Sequence, residues 1–199
     1  MVATLNLLKK SFRSDKIRVL LKALKIENIL VNDVEEQPSV IYSNDNEELN
    51  DTNEILKKLA VNSEFDCEEE KMKSWIELNN TVFEIVSAVL SFPYMGLIPA
   101  EDVPALAEKK ARSDILRHIR TLENQLKETK YLTGDHITIA DILISTTLRP
   151  LFQYVLSEVE RKNIPLVNTY MKDVTSQSYY VEALGETVFF VGDNKKKSK

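Results

Sequence analysis

Residues 131–141 read YLTGDHITIAD, and this stretch describes how a helix begins. Thr138 and Asp141 have the spacing of a capping box, in which the threonine hydroxyl accepts a hydrogen bond from the Asp141 amide and the aspartate carboxylate accepts one from the Thr138 amide. Ile137 and Ile142 flank the box at the spacing of a hydrophobic staple, which fixes the direction of the entering chain. The stretch predicts a helix that can begin inside a packed core, because its first amides are already satisfied.

Helical periodicity continues on both sides of the box. Apolar residues recur every three or four positions over residues 68–90, 106–126, 138–160 and 165–174, and more briefly over 179–184. Pro150 lies inside the third of these runs, where a proline predicts a kink or a break. We therefore predict an all-helical domain over residues 67–190.

The first 66 residues follow a different pattern. Short β-prone runs occur at residues 4–8, 29–31, 40–42 and 48–49. One helical run has Ser14 as its expected N-cap, and a second has Asp51 or Thr52. The resulting order, β-α-β-β-β-α, predicts a small α/β domain over residues 1–66.

Composition excludes several classes of protein. The chain has 199 residues, of which 43% are apolar, whereas four glycines and six prolines are too few for the tight turns of a β-sandwich or barrel. The single cysteine, Cys67, excludes an intrachain disulfide. One cysteine and two histidines also form no zinc-binding pattern, so we expect no metal and no cofactor.

The charge is unevenly distributed. The chain carries 26 basic and 31 acidic residues, a net charge of −5 that does not suit a domain whose main task is to bind nucleic acid. Residues 1–26 hold seven basic side chains against Asp15 alone, whereas residues 27–70 hold fourteen carboxylates against two lysines. The acidic region is a candidate surface for a basic partner. No apolar run could span a bilayer and no signal peptide is present, so we predict a cytoplasmic protein.

The capping box, with Gly134 four residues before Thr138 in a helical domain, resembles the glutathione-transferase-like fold. That fold consists of a thioredoxin-like half and a helical half, and the resemblance covers nearly the whole chain. It implies that Pro38 stands where the family places a cis-proline before the third strand. It also implies that the family's glutathione site falls at four positions, which are Ser11, Gln37, Asp51 and Thr52.

These positions depart from the family's pattern, so we expect a vestigial site and no enzymatic activity. The proline usual after such a serine is replaced by Phe12 and Arg13, and the usual Gln/Glu-Ser pair is Asp51-Thr52. Thr52 also has a sufficient role as a helix cap. An active glutathione transferase is the alternative, because a serine hydroxyl at Ser11, or at Ser14, could lower the pKa of the glutathione thiol.

Residues 1–26 and the lysine-rich residues 195–199 more closely resemble the N-terminal domain of apicomplexan tRNA import proteins, which belong with the synthetase-complex scaffold proteins. This resemblance implies homodimers, binding to aminoacyl-tRNA synthetases that carry similar domains, and a basic linker over 191–199 that leads to a tRNA-binding domain. It further implies peripheral association with the parasite plasma membrane. The N-terminal domain of an elongation-factor subunit is a further alternative.

The run over residues 68–90 contains more apolar positions than one core-facing stripe needs. A surplus of exposed apolar residues on a soluble domain usually marks an interface. We therefore predict a homodimer with a surface that includes Trp75, Ile76, Val82 and Phe83.

Overall fold

A computed structural model describes residues 3–35 and 40–192 of the chain. Its first part is a four-stranded sheet with the order β2-β1-β3-β4. The strands are Ala3–Leu8 (β1), Ile29–Val34 (β2), Val40–Ser43 (β3) and Glu48–Leu49 (β4), and the helices of this part are Phe12–Ala23 (α1) and Thr52–Ala60 (α2). Strand β1 is parallel to β2 and antiparallel to β3, and β4 is antiparallel to β3. Gln37, Pro38 and the lysine-rich tail lie outside the described residues.

The sheet buries one of its faces, as the period-two alternation of a strand requires. Leu5 and Leu7 of β1 are fully buried and share a core with Ile17 and Leu20 of α1. Asn6, between the two leucines, is only partly buried. The side of the sheet that contacts α1 is therefore the one that joins the protein core.

The second part of the molecule is helical. Its elements are Glu69–Leu78 (α3), Glu84–Met95 (α4), Ala105–Glu128 (α5), Ile139–Tyr154 (α6), Glu158–Arg161 (α7), Pro165–Thr175 (α8) and Ser178–Leu184 (α9). A π-helical segment, Asn79–Phe83, joins α3 to α4, so the predicted long helix is present with one irregular turn. The helix continues through Pro93 and ends at Gly96, whose φ of 68° is the left-handed conformation that glycine adopts without strain.

Helix α6 lies at the centre of the domain. All but three of its residues are buried, and it contacts α1 of the sheet half as well as α3, α4 and α8. Pro150 lies within the helix and does not end it. The predicted run over 138–160 is nevertheless two helices, because Ser157 and Glu160 form a second capping box that begins α7.

The predicted start of α1 is wrong. Ser14 is fully buried inside the helix, and Ser11 occupies the N-cap position. Phe12 accounts for the earlier start, because it is buried at the first helical position, where its ring lies 5.9 Å from the ring of Phe92. Asp51, one of the two residues expected to cap α2, does so: its Oδ1 accepts hydrogen bonds from the amides of Asn53 and Glu54.

Residues 185–192 run along the surface of the helical half and are held there by two arginines. Arg149 donates to the Thr187 hydroxyl and to the Leu184 carbonyl. Arg161, which is 5% exposed, donates to the carbonyl of Phe190. These contacts fix the position of the last described residues against α6 and α7.

The structure confirms the predicted division of the chain into a sheet-containing half followed by a helical half. Among the described residues, no helix is both long enough and apolar enough to cross a bilayer.

Candidate functional site

A cleft of about 580 Å³ lies between the end of β1, the start of α1 and the helix α4. The polar residues that line it are Lys9, Lys10, Ser11, Arg13, Glu35, Asn80 and Glu84. The apolar residues that line it are Leu8, Phe12, Ile85, Ala88, Phe92, Leu97 and Ile98. Ile85 is 58% exposed and Leu97 is 38% exposed, so part of the apolar lining is open to solvent. The cleft combines positive charge with an apolar surface.

Ser11 lines this cleft and is the one predicted glutathione-site residue found there among the described residues. Although it occupies the N-cap position of α1, its side chain makes no capping hydrogen bond. The hydroxyl is therefore not committed to the start of the helix.

Of the other predicted glutathione-site residues, the two that the structure describes are not brought into the cleft. Asp51 and Thr52 lie at the start of α2 and do not line the cleft, and the Asp51 carboxylate already accepts two backbone amides. Gln37 lies outside the described residues. The structure thus unites Ser11 with a set of residues that the sequence did not single out.

A polar cluster that includes the cleft residues Arg13 and Glu84 centres on the Glu84 carboxylate. Its Oε1 accepts hydrogen bonds from Lys16 Nζ at 2.7 Å and from Asn79 Nδ2 at 3.1 Å. Its Oε2 accepts from Arg13 Nε at 3.0 Å and from Arg13 Nη2 at 2.9 Å. Burial alone would raise the pKa of Glu84, but Lys16 and Arg13 outweigh that effect and hold the pKa below its usual value. The cluster joins α1 of the sheet half to the start of α4.

The π-helical turn explains how Asn79 and Glu84 reach the same point. In an α-helix, residues five apart point in directions that differ by about 140°. A π-helical turn bonds residues i and i+5, so it places them one above the other. The sequence contains one indication of this cluster. Lys16 lies four residues from both Phe12 and Leu20, so the helix places a lysine on the face that these buried residues occupy, where it needs a partner of opposite charge.

The capping box at the start of α6 is present, and its aspartate does more than the motif requires. Asp141 Oδ2 accepts from the Thr138 amide at 2.8 Å, and Asp141 Oδ1 accepts from the Leu132 amide at 3.0 Å. Thr138 Oγ1 also lies 3.2 Å from Asp141 Oδ2 and 3.0 Å from the hydroxyl of Thr133. The carboxylate therefore anchors the preceding loop as well as the helix. Of the staple residues, Ile142 is fully buried and Ile137 packs against the core.

Two of the four residues expected at a dimer surface are unavailable. Trp75 is 7% exposed and Phe83 is fully buried, because the chain's own core uses the apolar positions of α3, of α4 and of the π-helical segment between them on more than one side. Ile76 and Val82 are only partly buried. They remain the candidate dimer residues of the predicted set.

A partly buried carboxyl group on α1, that of Asp15, leads to a prediction about pH. Burial raises the pKa of Asp15 to about 6, and the nearby charges of Arg149, Arg18 and Lys16 oppose this only in part. Since an unfolded aspartate titrates near 3.9, the folded state binds the extra proton between about pH 4 and 6, and stability falls as the pH rises through that window.

Replacement of Asp15 by Asn should remove this loss. We expect Asp15→Asn to raise the free energy of unfolding at pH 7 by about 2 kcal/mol and to have little effect at pH 4. Urea unfolding between pH 4 and 7.5 measures both values, with Asp102→Asn on the surface as the control. An equal effect of Asp15→Asn at pH 4 and pH 7 would contradict the assignment.

Comparison with known proteins places the fold. Residues 85–178 match the family model described as the glutathione S-transferase C-terminal domain. The GST-like domain of elongation factor 1-gamma from Saccharomyces cerevisiae superimposes with a TM-score of 0.78 over 96% of each chain, at 18% sequence identity. This similarity concerns the fold alone.

Sequence relatives include elongation factors, glutathione S-transferases and a tRNA ligase. Elongation factor 1-gamma of Artemia salina is 28% identical over 121 residues, which are 61% of this chain and 27% of that protein. A Schizosaccharomyces pombe protein, named provisionally as a glutathione S-transferase, is 30% identical over 153 residues, 73% of this chain and 62% of that protein. Valine–tRNA ligase of Takifugu rubripes is 23% identical over 112 residues, 56% of this chain and 9% of the ligase.

The chain therefore has the glutathione S-transferase-like fold, and its residues 85–178 match the C-terminal domain of that family. It spans about a quarter of the Artemia elongation factor and less than two thirds of the pombe protein.

Proposed function

We propose that this chain is a non-catalytic assembly domain of the translation machinery, and specifically the N-terminal domain of a tRNA import protein. In this role it forms a homodimer and binds aminoacyl-tRNA synthetases through their own similar domains. tRNA is bound by a further domain that follows Lys199 in the full-length protein. The protein is cytoplasmic, with peripheral contact to the plasma membrane.

The observation that carries the proposal is the sequence similarity to an elongation factor and to a tRNA ligase, two proteins of translation. The cleft agrees with it. Asp51 is committed to the start of α2, and the Arg13 guanidinium that lines the cleft is already paired with Glu84. Lys9 is paired with Glu35, so Lys10 is the one cation of the described cleft lining that no carboxylate neutralises and that could hold a charged end of glutathione.

An active glutathione transferase is the second candidate, and one observation favours it. The Ser11 hydroxyl lines the cleft without a capping bond, so it could donate a hydrogen bond to a thiolate and stabilise it. The similarity to the pombe protein points the same way.

Glutathione binding separates these two candidates. We expect no retention on immobilised glutathione and no conjugation of an aryl halide above the uncatalysed rate. The matched variants are Ser11→Ala, in the cleft, and Ser113→Ala, on the exposed face of α5. Turnover that Ser11→Ala abolishes and Ser113→Ala preserves would overturn the non-catalytic assignment.

Assembly is tested by sedimentation of residues 1–199 over a dilution series. We expect a dimer at micromolar concentration that Ile76→Glu and Val82→Glu weaken, whereas Leu106→Glu, on a residue that is 77% exposed elsewhere, leaves it unchanged. The proposed binding to synthetases is tested by capture of the purified GST-like domain of a synthetase from the same organism. A chain that is monomeric and captures no such domain would refute the proposal.

The same similarities are compatible with an elongation factor 1-gamma-like protein. The sequence that follows Lys199 distinguishes the two, since the proposal requires a tRNA-binding domain there.

A further inference from the structure

Helix α5 presents an unusual concentration of positive charge on its exposed side. The cations are Lys109, Lys110, Arg117, Arg120 and Lys127, all exposed to solvent, and we refer to them as the α5 ridge. At 100° per residue they fall within an arc of about 100°, opposite the buried Ala111, Ile115, Ile119 and Leu122. At 1.5 Å per residue the ridge is about 27 Å long. It is a straight, rigid row of cations on a chain whose net charge is −5.

The acidic residues of α5 do not cancel the ridge. Glu123 turns away from it, because its two carboxylate oxygens accept the amides of Leu166 and Val167 at the start of α8. Asp114 pairs with Arg117 at 3.0 Å, and Glu128 is exposed at the end of the helix. Glu108, in the first turn, lies on the side of the helix that holds the buried residues, so five cations share the exposed side with two carboxylates.

Three of the cations are free to bind a ligand. Lys109, Lys110 and Arg120 form no ion pair with any residue in the described parts of the chain. Lys127 contacts only the side-chain oxygen of Asn124, at 2.9 Å. An arriving anion would thus meet charges that no internal carboxylate neutralises.

The ridge lies on the side of the domain where the described chain ends. Arg112, in the first half of α5, pairs with Glu160 of α7. The next residue, Arg161, donates to the carbonyl of Phe190. Residues 190–192 are therefore close to α7 and to the first half of α5, and the sequence beyond them contains four lysines. A ligand that is bound by the chain after Gly192 would therefore be close enough to contact the α5 ridge as well.

The composition of this surface suits a phosphate backbone better than an acidic protein. Ser113, Thr121 and Asn124 lie among the cations, and such side chains commonly bond to phosphate oxygens. Exposed apolar residues on α5 are confined to Leu106, at its beginning, and Leu116, at the margin of the ridge. A protein interface needs an apolar centre, whereas phosphodiester binding is supplied by charge alone.

We propose that the α5 ridge is an auxiliary contact surface for the phosphodiester backbone of a structured RNA. It contributes sequence-independent affinity to an RNA whose main binding site is elsewhere. The choice of tRNA as the RNA rests on the proposed function, whereas the affinity for phosphodiesters does not. At physiological salt the contact is weak, because few phosphates are neutralised and competing counterions are abundant.

The test compares two triple charge reversals in residues 1–199. The ridge variant is Lys110→Glu/Arg120→Glu/Lys127→Glu, and the control is Lys22→Glu/Lys73→Glu/Lys172→Glu. All six positions are exposed, and both variants change the net charge by the same amount. Circular dichroism verifies folding, and fluorescence anisotropy with labelled tRNA measures affinity between 25 and 200 mM KCl.

We expect the ridge variant to bind tRNA about tenfold more weakly at low salt. The slope of log K against log [KCl] should also fall in magnitude by about 2, because each of the three lost phosphate contacts contributes somewhat less than one unit to that slope. The control should keep the slope of the unmodified chain. Equal losses in both variants, or no binding at 25 mM KCl, would overturn the proposal. Tighter, ridge-dependent binding of poly-glutamate than of tRNA would also overturn it, because the surface would then serve an acidic protein.

Failure of this test would leave the proposed function standing, since dimerisation and synthetase capture are measured independently.

Discussion

Replacement of Glu84 by Gln is expected to lower the free energy of unfolding by about 3–5 kcal/mol, because it removes one partner of a buried ion pair. The Lys16 side chain is 1% exposed, and its only ion-pair partner among the described residues is Glu84. The glutamine would keep the shape of the side chain and leave a buried ammonium group without a counter-charge. Arg13, whose side chain is 53% exposed, can instead turn to solvent.

Urea unfolding at pH 7 measures this loss, with Glu77→Gln on the exposed side of α3 as the control. Because the large cost comes from the unpaired charge, the double variant Lys16→Met/Glu84→Gln should recover most of the stability. A loss below about 1 kcal/mol for Glu84→Gln, or no recovery in the double variant, would contradict this explanation.

Lowering the pH should also destabilise the cluster around Glu84. Since the pKa of Glu84 in the folded state lies below its usual value, the carboxylate stabilises the fold above about pH 4.3, and this contribution is lost as the pH falls toward the folded pKa. Glu84→Gln should therefore flatten the acid limb of the stability profile. Asp15 acts in the opposite direction, so the Asp15→Asn variant should leave that limb in place.

The sequence was sufficient for the fold because the deciding signals are local. The capping box at Thr138 and Asp141 and the alternation around Leu5 and Leu7 involve residues within a few positions of each other. Such patterns depend on backbone geometry and on the side of an element that is buried, and both can be inferred without tertiary contacts. Their order predicts an α/β half followed by a helical half, and the resemblance to a known family implied the glutathione-transferase-like arrangement of the two.

The site could not be predicted in the same way, because its residues are distant in sequence. Arg13 and Glu84 are 71 positions apart, and Asn79 reaches the same carboxylate through a π-helical turn that no sequence pattern indicates. The position of Ser11 illustrates a second limit. Serine is common both at helix starts and in active sites, and only the structure shows that its hydroxyl is not used for capping.

The dimer surface shows a third limit of sequence patterns. The apolar surplus along α3 and α4 predicts an interface, yet Trp75 and Phe83 are buried within the chain. A helix packed on several sides has the same composition as a helix with an exposed apolar face. Counting apolar residues cannot separate the two arrangements.

Asp141→Ala should destabilise the domain by about 3 kcal/mol, more than the 1–2 kcal/mol expected for Thr138→Ala. The two residues of a capping box are often treated as equal. Here the Asp141 carboxylate is fully buried and accepts two backbone amides, that of Thr138 within the box and that of Leu132 outside it. Its removal leaves two buried donors unsatisfied.

The matched control for this prediction is Asp51→Ala, which also removes a carboxylate that accepts two amides. That helix start is exposed, so water can replace the carboxylate, and we expect the free energy of unfolding to fall by only about 1 kcal/mol. Urea unfolding of the three single variants and the unmodified chain, together with the double variant Thr138→Ala/Asp141→Ala, provides the measurement. The double variant should lose less than the sum of the two single losses, because both residues take part in the same bonds. Equal losses for Asp141→Ala and Asp51→Ala would mean that burial adds nothing, and the anchoring role of Asp141 in the loop before α6 would then be refuted.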